Sequence, residues 1–399
     1  MQELTIEELG YNGEGVSHVN GKVCFLKYVL PNEVVKAKII KSNSKYCWAL
    51  PEKIIKSSPD RIMPLCPYFG KCGGCDFQHI KYEKEIEIKK QILEKQLDKI
   101  GIKNLKVNSI FANDYFYRNK IRLYPTDLGL GYHGAEGMVS IENCKLATQI
   151  IDKNIKQISE FIFENKNILG LIYVELRCFD DLICINLFVK KKVDFDFKSL
   201  AERLSNKCQI YLTVNGKSFC CYSNSLNGEK VNPCAFKQVN NKIAEKLYKK
   251  VITYAKNKSV ANCYSGAGLL SKLLIDNGAL NVYGLELGEN EHQEAEELKR
   301  ENNLKNLINM KGDCADLLPK ISHDIDLIIV DPPRGGCSQS VILSILNSKA
   351  KNLIYISCNN ATFARDISYL KDFKIIEIEL YDMFPRTANF EIFAYLIRK

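Results

Sequence analysis

Across roughly the last 160 residues, four short apolar runs recur with a helical stretch after each: Val260–Cys263, Val282–Leu285, Leu327–Val330 and Leu353–Ile356. Runs this short and this apolar read as strands buried on both faces, and their alternation with helices predicts a parallel sheet covered on each side. Open sheets of this kind bind ligands beyond the carboxyl ends of their strands. The residues that follow each run are therefore where chemistry is expected.

The remainder of the 399-residue chain reads differently, and the length predicts two or three domains. About the first 60 residues hold β-branched and aromatic segments such as KVCFLKYVL and EVVKAKII, with no long helical period, which predicts a small β-barrel. Pro59 and Pro64 mark its end. Tyr82 to Ile100 carries Ile86, Leu93, Leu97 and Ile100 on one face, with Gly101 as a stop, so it predicts an amphipathic helix. From about residue 105 to 230 strands return, with hairpins at Asp180-Asp181 and Asn215-Gly216. The expected organisation is a barrel over 1–60, a mixed, mainly β central domain over 61–235 and an α/β domain over 236–399, with the helix at 82–100 packing on the last.

The formal net charge is +9, with basic residues spread along the chain, which suits either a polyanionic partner or an ordinary solvated basic surface. MQELTIEELG has no basic start followed by an apolar core, and no run of about 18 apolar residues occurs, so a cytoplasmic protein with no membrane partner is expected. Thiols stay reduced in that compartment. Among the sixteen cysteines, those at short spacing therefore suggest metal binding or catalysis, and most of the others suggest small buried hydrophobes.

Three motifs fall at the expected sheet edge. In VANCYSGAGLLSKLLI a strand runs into Ser265-Gly266-Ala267-Gly268, and Glu286 follows Gly266 by twenty positions, the distance at which an acid meets a ribose hydroxyl. Leu269, Leu270 and Ser271 break the full dinucleotide pattern, so the turn fits S-adenosylmethionine, which has no pyrophosphate, better than a dinucleotide. A plain tight connection is the alternative. In IDLIIVDPPRGG, Asp331 ends a strand before two prolines, which stiffen the turn that carries Asp331 and Arg334. In YISCNNATFARD, Cys358 ends the next strand; it reads either as a nucleophile or as core packing.

D-P-P-R-x-G followed by S-C-N-x-x-T at this spacing resembles the RNA uracil-C5 methyltransferases, the 5-methyluridine-forming enzymes of transfer and ribosomal RNA. The resemblance implies a Rossmann-like S-adenosylmethionine methyltransferase domain. It makes Cys358 the thiol that attacks uracil C6, and Glu391, which closes FPRTANFE, the base that removes the C5 proton. Gln238 in FKQVN, Tyr264, Glu286 and Asp331 correspond to cofactor contacts, and Asp313 in KGDC to a looser position near the adenine.

GYNGEGVSHVNGKVCFLKYVLPNEVVKAKI looks like the TRAM barrel, implicated in RNA binding. PLCPYFGKCGGCDFQHIKYE is similar to the family's iron–sulfur segment, with Cys66, Cys72, Cys75 and Cys144 matching the ligands of a 4Fe–4S cluster. Spacing alone suits tetrahedral zinc equally well. YFYRNKIRLY, with Arg118, Lys120 and Arg122, reads as an RNA contact or as a strand with a basic face. The barrel and the four cysteines favour 23S ribosomal RNA as substrate, with transfer RNA as the alternative, and a monomer is expected.

Three positions depart from the family pattern: Arg386 stands where glutamine or histidine is usual, Asn389 where histidine is usual, and Asn262 where aspartate is usual. Rival classes fit less well. Cys66, Cys72 and Cys75 lack the C-x-x-x-C-x-x-C spacing of radical S-adenosylmethionine enzymes. A cytosine-C5 enzyme draws its thiol from a different motif, and a non-catalytic RNA-binding protein needs neither Cys358 nor Glu391.

Overall fold

The computed structural model describes residues 1–225, 230–234, 237–321 and 323–399 and contains three sheets. Six strands between Gln2 and Lys56 wrap a small core of Leu4, Ile6, Leu26, Val35 and Ala49. Seven strands between Lys120 and Ser223 form the central sheet, and helix Gln149–Glu164 lays Ile151, Ile155, Ile158 and Phe161 against it. The predicted hairpins are present: Asn215 and Gly216 take φ +48° and +77°, the two left-handed positions of a tight turn.

The third sheet has eight strands. Leu307–Lys311, Asn281–Glu286, Ser259–Cys263, Leu327–Val330 and Asn352–Ser357 lie side by side and parallel, as the alternating pattern predicts. Glu391–Arg398 is inserted antiparallel between Asn352–Ser357 and Phe373–Tyr381. The far edge is Val107–Ile110, parallel to Phe373–Tyr381.

That edge strand departs from the expected division, because Val107–Ile110 leaves the central unit and joins the third sheet. The segment Val107–Ile110 is four residues long with no alternation to read, so only its long-range pairing decides where it goes. Helix Tyr82–Lys99 buries Ile88, Ile92, Leu93 and Leu97 in the core that also holds Ala261, Ile328 and Leu353.

Its charged face is not wholly solvated. The fully buried Lys89 ammonium donates to Glu85 Oε1 at 2.7 Å, Asp382 Oδ1 at 2.6 Å and the Phe384 carbonyl at 3.2 Å. Three charges buried together are tolerable only because each has partners. Among the described residues no helix is long and apolar enough to cross a membrane.

Candidate active site

Cys358 follows the last residue of Asn352–Ser357, and the motif around it is a self-bonded turn. Asn359 Oδ1 accepts from the Ala361 and Thr362 amides and so caps helix Asn360–Tyr369. Asn359 Nδ2 and Thr362 Oγ1 each donate to the Arg334 carbonyl at 3.2 Å, which ties the cysteine turn to the DPPRGG turn. The S-C-N-x-x-T spacing is thus one capping turn with the thiol at its apex.

Strand pairing brings in the glutamate. Ser357 pairs with Ile392 and Tyr381 with Glu391, so the register continued by one residue sets Cys358 opposite Glu391. Glu391 is buried, and its Oε2 has no hydrogen-bond partner among the described residues. A cavity of about 180 Å³ opens over Cys358, lined by Arg334, Asn359, Asn389 and, from the barrel, Tyr11 and Asn12.

The charges respond to one another. Burial pushes the Glu391 carboxyl well above its ordinary range; the Asp331 charge adds to this and the Arg334 guanidinium opposes it. Burial lifts Asp331 to about 6. The Cys358 thiol is raised by burial and by the Glu391 and Asp331 charges, with Arg334 pulling the other way. Arg334 is thus the cation that favours ionisation of both thiol and glutamate.

The loop ahead of Glu391 is anchored from outside the sheet. Arg386 holds φ +65°, a left-handed conformation rare for a bulky residue, and its carbonyl accepts from the Asp76 and Phe77 amides at 3.0 Å each. Its amide donates to Glu85 Oε1 at 2.7 Å, and its guanidinium donates to the Ile80 carbonyl at 2.6 Å and to Asp114. Asp76 Oδ2 accepts from the Ala388 amide at 3.0 Å. None of these Arg386 partners is Glu391, so this departure from the family pattern serves anchorage.

On the cofactor side, Glu286 accepts from the Gly266 and Gly288 amides at 2.8 Å, one on each oxygen. Tyr264 opens the glycine turn at φ +60°, and its phenol lies beside Cys337. Gln238 lies beside Tyr248, whose phenol burial and the Asp331 charge lift to about 12. Asp313 is exposed, and its Oδ1 accepts from the Ala315 amide at the start of helix Cys314–Ile321, a capping role. Ser265 Oγ and Asn309 Oδ1 are buried without partners among the described residues, and both lie where a Cβ on Gly284 would point. Asn262 is buried and donates to Ser271 Oγ at 2.9 Å, a packing role.

Cys66, Cys72, Cys75 and Cys144 line one cavity of about 320 Å³ together with Arg118, Arg122 and Lys145. Buried Gln78 links two of them, accepting from the Cys66 amide and donating to Cys75 Sγ at 3.2 Å. Burial raises the Cys72 thiol to about 11 and that of Cys75 further. Among the described residues no three His, Cys, Asp or Glu side chains form a group that could hold a metal ion.

The basic tract is more neutral than it reads. Buried Glu175 pairs with Lys120, Arg122 and Arg177, and Arg122 also lies 4.2 Å over the Tyr173 ring. Two contributions had no local sequence signal, since each depends on contacts across the chain: the barrel loop at the Cys358 cavity, and Asp76 on the base loop.

The parallel sheet with a glycine turn at its carboxyl edge is the fold of an S-adenosylmethionine-dependent methyltransferase. It matches the Pyrococcus abyssi tRNA (uracil-54, C5)-methyltransferase solved with S-adenosyl-L-homocysteine, with a TM-score of 0.80 and 25% identity over 99% of this chain and 100% of that one. Residues 81–399 match the tRNA (uracil-5-)-methyltransferase family, to which the chain belongs, and residues 1–49 match the TRAM domain. Similar full-length relatives include uncharacterized RNA methyltransferases of Caldanaerobacter subterraneus, 29% identical over 99% of this chain and 98% of that one, and of Listeria monocytogenes serotype 4b, 29% identical over 99% and 97%. The chain is thus an RNA uracil-C5 methyltransferase by class, and S-adenosylmethionine is its methyl donor.

Proposed function

We propose that the enzyme methylates C5 of a uridine in 23S ribosomal RNA, with Cys358 as nucleophile and Glu391 as base. The observation that carries this reading is the strand register that sets the thiol opposite a buried, unpartnered carboxylate. The Cys358 thiolate adds to uracil C6, and the C5=C6 electron pair moves onto the C4 carbonyl as an enolate. Gln238, Tyr264, Glu286, Asp331 and Asp313 would hold S-adenosylmethionine, whose sulfonium would give its methyl to C5 and leave as the neutral thioether S-adenosylhomocysteine. Glu391 then removes the C5 proton, and the freed electron pair re-forms C5=C6 as the thiolate leaves. The uridine reaches this buried pair by leaving its stack, at a cost of about a few kcal/mol.

Incubation with labelled S-adenosylmethionine and unmodified ribosomal or transfer RNA, followed by nucleoside digestion, tests the reading. 5-Methyluridine that disappears in Cys358→Ala supports it; no 5-methyluridine from either RNA overturns it. Transfer RNA is the second reading, favoured by the likeness to the Pyrococcus enzyme.

We also propose that Cys66, Cys72, Cys75 and Cys144 hold a 4Fe–4S cluster in a structural role. Four thiols around a cavity of this size suit a group larger than one ion. Anaerobic purification should yield a brown protein with about four irons per chain; a colourless zinc protein would overturn this.

A further inference from the structure

The Cys358 cavity does not end at the base loop. Tyr11, Asn12, Ala388 and Asn389 also line a second cavity of about 340 Å³ between the barrel and that loop, a size within the range of about 300–1,000 Å³ usual for small-ligand sites. We propose that this second cavity is a nucleobase site, taking the amino-bearing base of the nucleotide that adjoins the target uridine. The inference rests on reading the first cavity as the uridine site.

The lining has the parts such a site needs. Half-buried Trp48, backed by Phe25 at 5.2 Å between ring centroids, and Tyr28 offer aromatic faces, and base–aromatic stacking is the usual means of holding an unstacked base. Tyr28 holds φ +62°, the kind of strained backbone that clusters at ligand clamps. Exposed Lys27 is placed for a phosphate, while Asn12 and Asn389 present amides that read base edges. Glu14 and Asp76 line the same cavity, and carboxylates accept from the amino group of adenine, cytosine or guanine and repel phosphate. Uracil has no such donor. The wall is held in register by Gly13 at φ +81°, where a Cβ would meet the Phe77 ring at 2.5 Å and Ala388 at 3.2 Å.

A pool of RNA 9-mers with central 5-fluorouridine and randomised flanks tests this. Glu391 cannot remove fluorine as a proton, so the Cys358 adduct persists after methyl transfer and can be sequenced. One adjoining position is expected to be depleted of uridine about tenfold, in line with the loss of one hydrogen bond from a base amino group to a carboxylate. The depletion should vanish in Trp48→Leu and survive in Trp48→Phe, with adduct still formed by both. Trp48 is the chain's one tryptophan, so its emission should also be quenched by the trapped RNA. Adduct with no preference at either adjoining position, or a preference untouched in Trp48→Leu, overturns the second site and leaves the catalytic reading standing. No adduct from the whole pool overturns both.

Discussion

Asp76 is the residue whose loss should separate the two halves of the reaction. Its carboxylate accepts from the Ala388 amide at 3.0 Å, three residues before Glu391, while its own amide donates to the Arg386 carbonyl. Asp76→Ala leaves the buried Ala388 amide without its acceptor, a cost of about 1–3 kcal/mol. Spent on the placement of Glu391, that cost lowers turnover about 5- to 150-fold. In the proposed mechanism Glu391 acts after the thiol has added and the methyl has moved, so the defect should accumulate covalent enzyme–RNA complex rather than prevent it. Denaturing gels of reactions with unmodified RNA read the adduct directly. Asp76→Ala should raise it, Glu391→Gln should raise it more, and Asp76→Asn, which keeps an acceptor oxygen, should stay near wild type. Turnover lost in Asp76→Ala with no added adduct, or turnover unchanged, would refute the reasoning.

Lys89→Met removes the cation between Glu85 and Asp382 and should cost about 3–5 kcal/mol. At about 2–4 °C per kcal/mol for a domain of this size, calorimetry should show a loss of about 6–20 °C; a change under about 2 °C would rule out the network as a stabilising element. In the proposed mechanism Cys358 and Glu391 ionise to act, and both are raised, so kcat/KM should climb as pH rises above neutrality, and Arg334→Gln should move that limb to higher pH. The stability sign is opposite. Glu391 and Asp331 hold protons in the folded state above the pH at which the unfolded chain releases them, so their contribution to stability declines as pH rises through about 4 to 6 and beyond, which pH-dependent urea titrations check. Gly13→Ala should loosen the barrel from the base loop and weaken RNA binding, measured as faster proteolytic cleavage near residue 60 and a raised Kd.

The catalytic sheet was legible because its signal is local: each buried strand is a short apolar run, and each ends in a motif residue. Cys358 and Asp331 could be placed on one edge by that rule alone. Glu391 could not, since its strand enters antiparallel from the end of the chain, and the family motif rather than the pattern pointed to it. Lys89 and Glu85 were illegible for the opposite reason. They sit at helix positions where charges usually face water, and only Asp382 and Arg386, some 300 residues away, explain their burial. The same distance hid the neutralising role of Glu175 in the basic tract.

The two departures in FPRTANFE now separate by direction. Arg386 turns toward residues 76–114: its guanidinium reaches the Ile80 carbonyl and Asp114, while the Glu85 bond comes from its main-chain amide and would be kept by a histidine or glutamine. Asn389, three residues on, is exposed and lines both cavities that the RNA would enter. One departure thus ties the loop to the protein and the other faces the two cavities, while Glu391 lies between strand register and anchored loop, opposite the thiol. Position is thus supplied by Asp76, Phe77 and Glu85 acting on the loop's main chain, with the Arg386 side chain adding the Ile80 carbonyl and Asp114.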